Sequence, residues 1–151
     1  MGFVRSCLAA AIVIVAVAVL PASASASQSS AVSTMLSSVN AVRAHHGLPP
    51  FRTSPTLLRS SERYSQTLMR RDQFGHSGLA RLGRFNRLGE ALEMHSGSAR
   101  RPRMALKLLM RSPPHRHLIL SRSQKLIGAG VARGRFRGSR ATIWVLHFGR
   151  H

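Results

Sequence analysis

The only cysteine in the chain, Cys7, lies in an apolar run at the amino terminus. Whatever folds beyond it must therefore hold together without a disulfide. Small exported domains often rely on such bonds, so core packing alone has to stabilise this one. Met1 to Arg5 is a short basic start, Ser6 to Leu20 is almost wholly apolar, and Pro21 closes the run. The ASASAS stretch that follows supplies small residues for a cleavage site. This is the layout of a secretory signal peptide over residues 1–26, with cleavage expected after Ala24 or Ala26. The apolar run is about 15 residues, short of the roughly 20 that a spanning helix needs. No later segment is long and apolar enough to cross a bilayer. The expectation is a secreted, extracellular protein. A flexible Ser- and Ala-rich leader is expected at residues 27–33, and one domain over residues 34–150, enough chain for a single core.

Charge comes next because it is lopsided. The formal charge is +19, with 23 basic residues against four acids. All but Lys107 and Lys125 of the basic residues are arginine. Such a field attracts phosphate polymers, anionic lipids and acidic glycans. Nucleic acid would satisfy the charge, but no stacking aromatic series, zinc finger or helix-turn-helix pattern accompanies it. Nucleic acid is therefore not expected as a partner. The charge reads first as a solvated basic surface, and the partner it would suit is an anionic cell-envelope polymer or lipid.

Periodicity gives the order of elements. Val32, Met35, Leu36, Val39 and Val42 form a helical stripe that Gly47 stops. Ser54 followed by Pro55 is a helix start, a capping side chain and then proline at the first helical position. That second helix carries Leu57, Leu58, Tyr64, Leu68 and Met69 and runs to about Gln73. Residues 75–89 read as loop, with a strand beginning near Gly89. Pro102 opens a third helix with Met104, Ala105, Leu108 and Leu109 expected inward. A short helical turn holding His115 follows. Two strands end the chain, Lys125 to Arg133 and Ala141 to Phe148, joined by a Gly- and Arg-rich hairpin over residues 134–140. Helices first and antiparallel strands last predict an α+β fold, layered α-β-α.

Three short pieces carry candidate chemistry: FGHSG around His76, LGEAL around Glu90 and SPPHRHLIL around His115. Glu90 is one of only four acids, so its place between two histidines calls for a reason. A His–Glu–His set can bind a divalent cation such as zinc. It can run acid–base chemistry on water. It can also tie the fold together by hydrogen bonds, with the carboxylate orienting the imidazoles. The spacing, 14 residues from His76 to Glu90 and 25 onward to His115, does not choose among the three. His147 shares a strand face with Ile143 and Val145 and reads as a satisfied, partly buried histidine. Glu93 falls on the strand face opposite Glu90.

Taken in order, RAHHGLPPF, SPTL, FGHSG, GEAL, SPPHRHLIL, IGAGVA and WVLHFG resemble the CAP superfamily, also called SCP-like: cysteine-rich secretory proteins, antigen 5 and pathogenesis-related 1 proteins. The likeness is to its disulfide-free bacterial branch and covers about Met35 to Arg150. It implies a three-layer α-β-α sandwich with a central antiparallel sheet and a cleft lined by two histidines and acidic residues. By position these are His76, Glu90 and His115, and in several relatives the two histidines hold a divalent cation. Departures are informative. The family's Asn after the glutamate is Ala91, its Trp before the Ser-Pro pair is Leu109, and its Asn before the Ile-Leu pair is Leu118. The second acid of animal members matches Ser112. With the basic surface, the cleft reads as that of a secreted, non-catalytic binding module for an envelope polymer, lipid or other anionic extracellular ligand. The alternative is a divalent-metal-dependent, protease-like hydrolase working in the same cleft.

Overall fold

In a computed structural model the described residues are 22–79, 82 and 85–151. Residues 1–21, which hold most of the expected signal peptide, lie outside them. Four helices and four strands follow one another: α1 Ala22–His45, β1 Arg52–Thr53, α2 Pro55–Arg70, β2 Arg87–Ser96, α3 Pro102–Arg111, α4 Pro113–Ile119, β3 Leu126–Phe136 and β4 Ser139–Arg150. The sheet order is β1-β3-β4-β2. Its main ladders are antiparallel, β2 with β4 and β3 with β4. Two-residue β1 adds a parallel edge on β3 that sequence periodicity could not register.

Helix α2 covers one sheet face, and α1, α3 and α4 cover the other. Alternation along β4 builds both cores at once. Trp144, Leu146 and Phe148 point to α1, α3 and α4 and meet Met35, Val39, Ala105 and Leu109. Ile143 and Val145 point to α2 and meet Leu68 and Met69. The expected layered α+β sandwich is therefore the fold.

Local chemistry explains where elements start and stop. The side chain of Ser54 accepts a hydrogen bond from the Leu57 N–H at 3.4 Å, with Pro55 opening α2 as the sequence predicts. That helix ends at Arg70, three residues before the expected Gln73, because Asp72 turns left-handed at φ 51°. The hairpin is tighter than expected. Only Arg137 and Gly138 lie between the paired Phe136 and Ser139, and both have positive φ, the signature of a type I′ turn. The Arg137 N–H is held by the Asp72 carboxylate at 2.9 Å, so the turn is fixed from outside the hairpin.

Two expectations need correction. Residues 27–33, expected as a flexible leader, are helix within α1. No Gly or Pro interrupts residues 22–46, and Ser27 and Gln28 are held by Arg100 and Glu62. The expected cleavage points after Ala24 and Ala26 fall inside this helix. The buried face of α3 is also rotated. Ala105, Leu106 and Leu109 are buried, whereas Leu108 is 38% exposed. Packing between α1 and β2 turns the Ala105–Leu109 line to the centre of the contact. Among the described residues no helix is long and apolar enough to cross a membrane.

Three glycines set the closeness of the layers. A Cβ on Gly128 or Gly130 would lie 2.2 or 2.3 Å from the backbone of α2. Helix α2 therefore lies directly on β3, and the Ser61 hydroxyl donates to the Gly128 carbonyl at 3.1 Å. On the other face a Cβ at Gly89 would collide with Leu118 of α4. That missing side chain lets α4, with His115, sit over the start of β2.

Candidate functional site

Glu90 enters the site from β2 directly opposite His147 of β4. Cross-strand partners share a face, so both side chains point under α2. His76 and Ser77 arrive from the loop after α2, held there by Tyr64, whose hydroxyl donates to the Gly75 carbonyl at 2.6 Å. The Glu90 carboxylate then accepts four hydrogen bonds. Oε1 takes the His76 Nδ1–H and the Ser77 N–H, each at 2.8 Å. Oε2 takes the Ser77 hydroxyl and the His147 Nε2–H, the latter at 2.9 Å. Burial alone would push this carboxyl up; the bonds from His147, Ser77 and His76 together outweigh it and hold the group below the ordinary carboxylate range.

His147 is buried, and its ring stacks on Tyr64 with centroids 6.2 Å apart. The carboxylate assigns the ring proton to Nε2. Nδ1 is then an unshared acceptor, buried without a partner. Burial, and next to it the charge of Glu90, raises the Tyr64 phenol above its usual value, so it stays a hydrogen-bond donor.

His115 reaches the edge of this arrangement without joining it. Its ring lies 6.3 Å from that of His76 and tilted to it. Burial, then the proximity of His76, lowers its pKa and favours the neutral ring. The family resemblance implies a cation on these two histidines, and the residues do not fit one. His76 keeps Nε2 free, with its Nδ1–H on Glu90 as ligating imidazoles commonly have it, but the Glu90 carboxylate has its roughly four lone-pair positions filled and supplies no third ligand. Zinc sites need at least three protein ligands. Among the described residues no group of three or more His, Cys, Asp or Glu is placed to hold a metal.

Beside Glu90 a cleft of about 730 Å³ opens along α2. Ser77 and His147 reach it from the Glu90 cluster, and Thr56, Ser60 and Thr67 line it with hydroxyls. Arg59 and Arg63 stand on the same helical stripe. Sequence reading missed this wall, although polar residues recurring at positions 56, 59, 60, 63 and 67 are a legible helical face. It also assigned the second site histidine to His115 alone. His147 is the one that touches Glu90, and only the β2–β4 register reveals that pairing. The remaining histidines lie outside the cluster: His95 bonds Glu93 in β2, and His117 is exposed on α4.

Comparison with known proteins identifies the family and the fold. The cysteine-rich secretory protein family profile, CAP, matches residues 36–148. An outer surface protein of Borrelia burgdorferi has the same fold with a TM-score of 0.67 at 18% identity, covering 81% of this chain and 93% of that one. An extracellular SCP-domain protein of Bacillus anthracis gives 0.65 at 18% identity, over 82% of this chain and 41% of its own. A cysteine-rich secretory protein of Staphylococcus aureus gives 0.60 at 16% identity, over 82% and 40%. No curated protein matches the chain in sequence. At these identities the structures speak for the fold, while the profile spans most of the chain: it belongs to the CAP family of cysteine-rich secretory proteins, in a form whose one cysteine leaves no disulfide.

Proposed function

We propose that the protein is a secreted, non-catalytic binding module that takes an anionic extracellular ligand, an envelope polymer or a lipid headgroup, in the α2 cleft. The observation that carries this reading is the filled carboxylate of Glu90. A carboxylate accepting four hydrogen bonds has no free lone pair to deprotonate a water or to ligate a cation. Ser77 donates to that carboxylate rather than to a histidine, so it lacks the paired base that activates a serine nucleophile. Glu90 acts as a clamp that fixes the loop carrying His76 and Ser77 beside α2. The clamped cleft presents hydroxyls and two guanidiniums, donors suited to an oxyanion carried on a polyol. The extracellular and outer-surface relatives support the location.

Binding to poly(glycerol phosphate) and to phosphatidylglycerol vesicles tests it. Affinity should fall steeply as salt rises, and Arg59→Ala with Arg63→Ala should weaken it. Salt-insensitive binding overturns the reading. So does a peptide hydrolysis by the purified protein that Glu90→Gln abolishes.

A further inference from the structure

On the sheet face opposite the cleft, a second concavity of about 620 Å³ lies between α4 and the start of β2. Arg87, Arg116, Arg122 and His117 line it, with the hydroxyls of Ser121 and Ser123. All four cationic or titratable side chains are exposed. Arg150 pairs opposite Arg87 in the β2–β4 ladder, which puts a further guanidinium on that face at the rim.

The acids of the chain are elsewhere. Glu62 bonds Gln28, Asp72 holds the hairpin turn, and Glu90 points under α2. Glu93 shares the sheet face but lies six residues along β2, about 20 Å away at the rise of a strand, and is engaged by His95. Among the described residues no Asp or Glu side chain lines the concavity.

The turn that carries Arg122 is built, not loose. The Ser121 hydroxyl accepts from the N–H of Ser123 at 3.2 Å and of Gln124 at 3.4 Å. Beneath it the buried Arg43 donates to the carbonyls of Ile119 at 2.8 Å, Ser121 at 2.9 Å and Pro49 at 2.9 Å, with its guanidinium 3.6 Å from the Phe51 ring centroid. Burial, and after it the charge of Arg122, lowers the Arg43 pKa. The turn thus sets the Arg122 side chain above a buried guanidinium that is itself held only by carbonyls and a ring face.

We propose that this concavity is a second binding site, for the phosphoryl groups of a soluble phosphate polymer, gripped by Arg87, Arg116 and Arg122. Planar guanidinium forks match phosphate oxygens two at a time, and a phosphate relieves the repulsion among them. A bilayer is the poorer match. The apolar lining is only Pro113 and Leu120, and none of the exposed large hydrophobic side chains, Phe74, Met94 or Leu108, borders it. The site is independent of the α2 cleft, and either can fail without the other.

Calorimetric titration of the whole protein with inorganic tripolyphosphate tests it. Arg116→Ala with Arg122→Ala should weaken binding about tenfold or more, the scale of losing charge-assisted bonds. Arg135→Ala with Arg140→Ala, exposed at the hairpin end of β3 and β4 and in neither site, should change it less than about twofold on the same reasoning. Arg87→Ala, on a different element, should act in the same direction and serves if the double variant loses its fold. Equal losses from both arginine pairs would mean diffuse charge and overturn the proposal. So would a variant at Arg116 and Arg122 that loses phosphatidylglycerol vesicles while keeping tripolyphosphate, since the partner would then be a lipid surface.

Discussion

Glu90 and Glu93 stand three residues apart in β2, both buried and both beside a histidine, yet their carboxylates are held in opposite ways. Glu90 points under α2 and accepts from two imidazoles, a hydroxyl and a backbone N–H. Glu93 points to the other face and receives one imidazole, His95 Nδ1, at 3.0 and 3.2 Å from its two oxygens. Burial raises the Glu93 carboxyl, and His95 only partly offsets it. At Glu90 four donors reverse the same burial penalty. Burial is thus common to both, and the number of donors decides the sign.

Removing the carboxylate is the strongest way to break this contrast. Glu90→Ala strands the buried His147 imidazole and the Ser77 donors and frees the 75–79 loop; it should cost about 1–3 kcal/mol at neutral pH, the scale for buried donors left unsatisfied. Urea unfolding followed by circular dichroism reads this, and a loss no greater than that of an exposed site would remove the clamp role.

Acid sharpens the contrast without a mutation at Glu93. The folded pKa of Glu90 lies below its unfolded value, near the ordinary 4.5. Its stabilisation is therefore full above that value and lost as pH falls through the depressed folded pKa. The stability gap between the wild type and Glu90→Gln should narrow on going from neutral pH to below 4.5. Glu93 runs the other way. Its folded pKa is raised, so the folded state binds a proton more tightly than the unfolded, and its contribution declines as pH rises from 4.5 through the raised value.

The smallest effect follows from that. Glu93→Gln keeps the shape, removes the ionisation that burial disfavours, and should change stability at pH 7 by no more than about 1 kcal/mol. A loss as large as that of Glu90→Ala would show the two acids to be equivalent after all.

Local signals were legible in the sequence where one segment decides the outcome. Ser54 and Pro55 announce α2, and alternation along residues 143–148 sorts two cores. The resemblance placed Glu90 beside His76, as found. What the sequence concealed depends on pieces far apart in the chain. His147 reads as a core residue until β2–β4 register sets it against Glu90, 57 positions away. Arg43 follows the last residue of the apolar stripe of α1, and its burial makes sense only once the carbonyls of residues 119 and 121 arrive. His115 is drawn near by α4 lying over Gly89, yet stops at the ring of His76 because the nearer β4 imidazole already fills the carboxylate.

The glycines of β3 have a reach beyond their own contacts. Because α2 rests on Gly128 and Gly130 with no side chain between, the helix bearing Arg59, Arg63 and Tyr64 has its height above the sheet set by two residues that never border the cleft. A methyl group at either position acts as a shim. It lifts that helix away from His147 and widens the cleft from below, leaving every lining residue chemically as it was.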